Sequence, residues 1–163
     1  MRHPLRKGIF LALACAFITT TMVRCLNRTV VTVPDGTSFV AYAIDGDTYP
    51  VASPDWRDFG FHGWPIVKQC SITHSKGVDL LDELLSDADS ARASGVDCFN
   101  PRHGLRVESP SGVVDYLICF ECGSFETWTQ GREEHQSGPI TQRPESLFSA
   151  TLKGCRSEEK VES

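Results

Sequence analysis

Three cysteines and a histidine fall within CFNPRHGLRVESPSGVVDYLICFECG, positions 98–123. Thiolate and imidazole are the groups zinc prefers in a tetrahedral site. Cys98, His103, Cys119 and Cys122, spaced C-x4-H-x15-C-x2-C, are therefore a candidate metal set. CFECG has the outline of a zinc knuckle, where a glycine after the second cysteine lets the backbone turn toward the ion; the C-x4-H half is wider than the usual ligand pair. The same thiols have a second use in an oxidising compartment, where disulfides persist. The simplest pairing joins Cys98 to Cys122 and leaves Cys70 for Cys155. Catalysis is a third use. A redox CxxC sits at a helix N-terminus that lowers the thiol pKa, and the GSFETWTQG that follows Cys122 is a poor helix. A haem-attachment motif needs histidine where Gly123 stands, and a Cys119–His103 nucleophile pair has no third group to orient it.

The elements that would position these residues are legible around them. HGLRVES and VVDYLICF read as two strands joined by a turn at Ser109–Gly112. In that register Arg106 faces Asp115 as a cross-strand ion pair. Leu105, Val107, Val114, Tyr116, Ile118 and Phe120 share the opposite, apolar face. Extending the pairing sets His103 opposite Ile118 and Cys98 opposite Gly123, so the topology alone gathers the Cys/His cluster at the open end of the hairpin. An unbent strand would point Cys119 and Cys122 to opposite faces, so the knuckle must break the strand.

CFNPRHGLR followed by DYLICFEC resembles a recurring module of small exported or hypothetical bacterial proteins, which carry Cys-aromatic-x-Pro-x-His and then Cys-Phe-x-Cys. The resemblance covers residues 98–123. It implies Cys98, Pro101, His103, Cys119 and Cys122 as signature positions, and it implies no enzyme class.

The remainder of the chain supplies compartment and class. The 163 residues carry a net charge of −5 with scattered basic residues, which argues against a nucleic-acid partner. A basic MRHPLRKG precedes the apolar run IFLALACAFITTTMV of fifteen residues. That run is shorter than the ~20 residues a membrane span needs, so residues 1–25 read as a secretory signal or a short signal anchor. The protein is then exported: periplasmic, secreted, or tethered to the membrane by this segment. Asn27 begins a glycosylation sequon. A globular domain is expected over 26–131 and a loose polar tail over 132–163, tied down where Leu147, Phe148 and Cys155 permit.

Strands are expected at 28–33, 38–44 and 64–72, with Pro65 marking an edge or entry. Residues 75–95 place Val78, Leu81, Leu85 and Ala88 on one face, an amphipathic helix with its acidic residues in solvent. The order implies an α+β fold, an antiparallel sheet with a helix packed on one face. His62, His74 and His135 read as surface or satisfied core histidines, Arg102 as an ordinary surface or ion-paired arginine, and Trp56, Trp64 and Trp128 as core or partly buried. The leading expectation is a non-enzymatic envelope protein whose Cys/His cluster is a structural zinc site or disulfide clasp. The alternative is a thiol-dependent enzyme using Cys119, Cys122 and His103. No small-molecule substrate is identifiable.

Overall fold

A computed structural model describes residues 31–48, 59–92, 98–132 and 135–155. The N-terminal segment with Cys15, Cys25 and Asn27, the first half of the strand expected at 28–33, Trp56 and Gly95 lie outside these residues. The elements are β1 (Ser38–Ile44), β2 (Ile66–Ile72), α1 (His74–Ala88), β3 (His103–Ser109), β4 (Gly112–Cys119), β5 (Ser124–Thr129), β6 (Gln136–Pro139) and α2 (Glu145–Gly154). The strands form one antiparallel sheet in the order β2-β1-β3-β4-β5-β6. With the two helices found among the described residues, this is an α+β protein. Among the described residues no helix is long and apolar enough to cross a membrane.

The chain runs down the sheet by hairpins except once. β2 and β3 both pair antiparallel with β1, one on each side, so they are parallel to each other. A connection between parallel strands of one sheet needs a crossover, and α1 supplies it, passing over β1. Thr73 caps that helix by accepting a hydrogen bond from the Lys76 amide at 3.4 Å. Gly77, Leu80, Leu81, Leu84 and Asp87 are its buried residues. The buried stripe is thus turned one position from the expected Val78–Leu81–Leu85–Ala88 face. Two packing facts turn it. Gly77 lies against the Phe39 ring, where any Cβ would overlap the ring. Asp87, expected in solvent, is 2% exposed. Its carboxylate accepts from the Thr141 amide at 2.6 Å, the Thr141 hydroxyl at 2.8 Å and Arg143 Nε at 3.1 Å, which meets the bonding that burial demands.

Both faces of the sheet are covered. On the helix side, Phe39, Leu105, Val107, Ile118 and Phe125 pack with Leu80, Leu81, Leu84 and Phe148. On the other side, Tyr42, Ile44 and Leu117 pack beneath Phe61 and Trp64. Residues expected as a loose tail supply β6 and α2. Phe148 is fully buried and Leu152 is 7% exposed, enough apolar surface to order this segment. Val31–Val33, expected as strand, are without strand pairing, and Val31 and Val33 pack against the core instead.

Cys70 on β2 and Cys155 at the end of α2 form a disulfide across a sequence separation of 85, with Cα atoms 6.1 Å apart. Lys68 Nζ donates to the carbonyls of Leu152 and Cys155 at 2.7 and 2.8 Å, which caps the same helix end. Closing a loop of that length contributes about 4–5 kcal/mol through the unfolded chain, whereas a clasp over three or four residues contributes about 2 kcal/mol. Replacing Cys70 and Cys155 by serine should therefore lower the urea unfolding free energy by about twice as much as replacing Cys119 and Cys122. Equal losses in the two urea titrations would contradict the loop-closure account.

Candidate functional site

The cysteine cluster does not assemble as a four-ligand set. β4 ends at Cys119, and Phe120–Gly123 turns the chain into β5, with Gly123 at φ +67° and its amide donating to the Phe120 carbonyl at 3.2 Å. CFECG is therefore the β4–β5 turn. It brings Cys119 and Cys122 to a Cα separation of 5.2 Å, and they are disulfide-bonded to each other. The expected Cys98–Cys122 pairing is thereby corrected, and Cys98 is an exposed free thiol. It stays close to the turn, since the Asn100 amide donates to Cys122 Sγ at 3.4 Å. The same bond takes up two of the three thiolates of the candidate zinc set. No group of three or more metal-capable side chains is found among the described residues.

His103 packs into the aromatic core. It is buried on the helix face, edge-on to Phe120 and Phe148 with centroids 5.2 and 6.0 Å away. Nε2 lies 3.4 Å from Ser149 Oγ, and Nδ1 has no partner. Burial, with the Arg102 charge adding to it, lowers its pKa to about 4. The ring is therefore a neutral core group. A base held neutral in the fold binds its proton more readily when unfolded, so stability is full above the ordinary histidine value and falls as the pH drops from about 6.5 to about 4. The full loss is about 3 kcal/mol. His103→Gln should flatten the pH dependence of the urea midpoint over this interval; an unchanged slope would mean that another group causes it.

A different constellation stands on the opposite face. The hairpin pairs Arg106 with Asp115, as its turn dictates, and β5 places Trp128 on the other side of Asp115. Arg106 Nε donates to Asp115 Oδ1 and Nη2 to Oδ2, each at 2.8 Å. His62 Nε2 donates to Oδ2 at 2.8 Å. The His62 ring stacks on the Trp128 indole at 4.9 Å, and His135 stacks on the same indole at 4.6 Å. The Arg106 guanidinium lies 5.7 Å from the centroid of Phe61, which stacks on Tyr42.

His62 reaches this row from a tight turn. Phe61 and Trp64 bridge, with the Phe61 amide donating to the Trp64 carbonyl at 2.9 Å. The two residues between them, His62 and Gly63, have φ of +53° and +88°, the sign that type I′ turns require at both central positions. Glycine adopts such angles freely; a side-chain-bearing residue there costs about 1–2 kcal/mol. The hydrogen bond to Asp115 and the stack on Trp128 offset that cost. Strain of this kind concentrates at functional sites.

Asp115 is the anchor, with a side chain 6% exposed. Burial, the largest single influence, raises its pKa, but the hydrogen bonds and charges of Arg106 and His62 together outweigh burial and hold the carboxyl below its ordinary value. The hydrogen bonds to Asp115 raise the Arg106 pKa. Beside the row is a cavity of about 400 Å³, lined by His62, Arg106, Glu108, Val113, Trp128 and Arg132 among others. The sequence pattern pairs Arg106 with Asp115, but it leaves His62 and Trp128 as structural residues. The signal was FHGW itself, a histidine–glycine pair between aromatics.

No protein-family model matches the chain, and neither a curated protein nor a solved structure matches it.

Asp115→Asn should destabilise the fold by roughly 2–4 kcal/mol, because it leaves the Arg106 charge without its counter-charge. The acid limb provides the check. Wild-type stability from Asp115 is present above the ordinary carboxyl value and is lost as the pH falls through the depressed one, below about 4. The variant should lack that component of acid unfolding.

Proposed function

We propose that this chain is an exported, non-enzymatic protein of the cell envelope that holds a small ligand in the cleft beside His62. The observation that carries the reading is the full commitment of Asp115. Both carboxylate oxygens are occupied by Arg106 and His62, so the carboxylate serves to orient rather than to move protons. A cavity of about 400 Å³ beside a pre-set row of arginine, histidine and indole has the size and mixed lining of a small-molecule site. Export is supported by the signal-like N-terminus and by two disulfides, which suit an oxidising compartment. The amphipathic helix at α1 and the hairpin with its Cys/His cluster are, on this reading, scaffold, and the N-terminal segment directs export or tethers the chain to the membrane.

The thiol-dependent alternative needs an accessible sulfur pair, and Cys119 and Cys122 are 2% and 4% exposed. Native protein treated with a thiol alkylator should be labelled at Cys98 alone among its domain cysteines. Rapid labelling of Cys119 or Cys122 in the absence of reductant would turn the reading back toward redox chemistry.

The ligand reading is tested by ligand-observed NMR with a fragment library. Hits are expected for the wild-type protein and should disappear in Val113→Trp, which fills the cavity from a half-buried strand position while the amide spectrum stays dispersed. A library without hits, or hits indifferent to Val113→Trp, sinks the cleft as a binding site.

A further inference from the structure

We propose that the cleft takes a small zwitterion, an α-amino acid or a short peptide. Its carboxylate would lie against Arg106 and Arg132, and its ammonium against Glu108. This rests on the cleft being a ligand site and adds the class of ligand.

The inference comes from following each charge in the wall. Asp115 and Arg106 cancel, and Asp115 has no further oxygen to offer. Arg106 uses Nε and Nη2 on Asp115, which leaves the Nη1 amino group directed elsewhere on a side chain 35% exposed. Its position is fixed by the bidentate pair and by Phe61 beneath it. Arginine held this way is suited to a carboxylate, and little rotamer freedom remains to be lost on binding. Arg132 lines the same cavity and has no acidic partner among the described residues. The remaining charged group of the wall is Glu108, whose carboxylate takes one hydrogen bond, from the Ser38 hydroxyl at 3.3 Å.

The layout separates the two signs. Glu108 and Arg106 share a face of β3 two residues apart, about 7 Å along the strand. Val113 stands opposite Glu108, and the Gln130 amide donates to the Val113 carbonyl at 3.0 Å, so a glutamate–valine–glutamine row lies one pleat beyond the arginine–aspartate–tryptophan row. A ligand lying across the two rows meets cationic groups at one end, a carboxylate at the other, and Val113 and Trp128 between. A purely anionic ligand would leave Glu108 facing like charge, and a cationic one would leave Arg106 and Arg132 so. A neutral ligand would gain from neither.

The test uses the secreted, oxidised protein and isothermal titration with twenty amino acids and a set of unblocked dipeptides. The best binder is then compared with its N-acetyl form, its carboxamide and its doubly blocked form. Each block should weaken binding tenfold or more. Arg132→Gln, an exposed and foldable substitution, should weaken the free form by at least tenfold and leave the carboxamide unchanged. Glu108→Gln should remove the penalty for N-acetylation. Equal binding of free and blocked forms, or a penalty indifferent to both variants, overturns the zwitterion while leaving the cleft in place. Absence of binding by any amino acid or dipeptide, alongside cleft-dependent fragment hits, does the same. Absence of both kinds of binding overturns the cleft and the zwitterion together.

Discussion

A carboxylate removed from water has to be neutralised and hydrogen-bonded where it stands. Asp115 meets that condition with groups from two distant places in the chain. Arg106 comes from the next strand, fixed by the hairpin register, and His62 comes from a turn 53 residues upstream. A slip of one residue in the hairpin would carry Arg106 to the helix face and leave Asp115 with a charge uncompensated. Loss of the turn would remove the second donor and the ring that covers Trp128. The register, the roof over the second face and the wall of the cavity therefore stand or fall together.

The hairpin was the most legible part of the chain because two independent patterns select one register. The ion pair and the apolar alternation both require Ser109–Gly112 as the turn, and the pairing of Leu105 with Tyr116 and Glu108 with Val113 follows. The α+β class was legible from the change of period after Ile72. The angular setting of α1 was less so. Helical periodicity tolerates a rotation of one position when leucines occupy 80, 81, 84 and 85, and the choice is made by Gly77 against Phe39 and by the bonding of Asp87 to residues 141–143. Neither partner is near in sequence. The same holds for α2, where a short apolar set in a polar segment becomes ordered once the sheet and Cys70 are there to receive it.

The Cys/His cluster shows the limit of counting ligands. Topology does bring the segment before β3 to the β4–β5 turn, as the Asn100–Cys122 hydrogen bond records. Proximity along a hairpin does not decide which way side chains point. His103 begins β3 on the face that carries Leu105, among phenylalanines, while Cys119 sits two residues beyond Leu117 on the other face. The functional candidate was hidden for the opposite reason. FHGW lies in a stretch with no period to read, and its role arises only when the turn folds back onto a sheet position fixed elsewhere.

The bond between Cys70 and Cys155 encloses the end of β2, all of α1, the remaining four strands and α2 within one covalent ring. A backbone cut anywhere between those cysteines opens the ring into a still-connected chain and releases no fragment. Wherever the protein meets a peptidase, this is tolerance of damage. A molecule nicked in a loop keeps both sides of its cut attached and close to the sheet they came from.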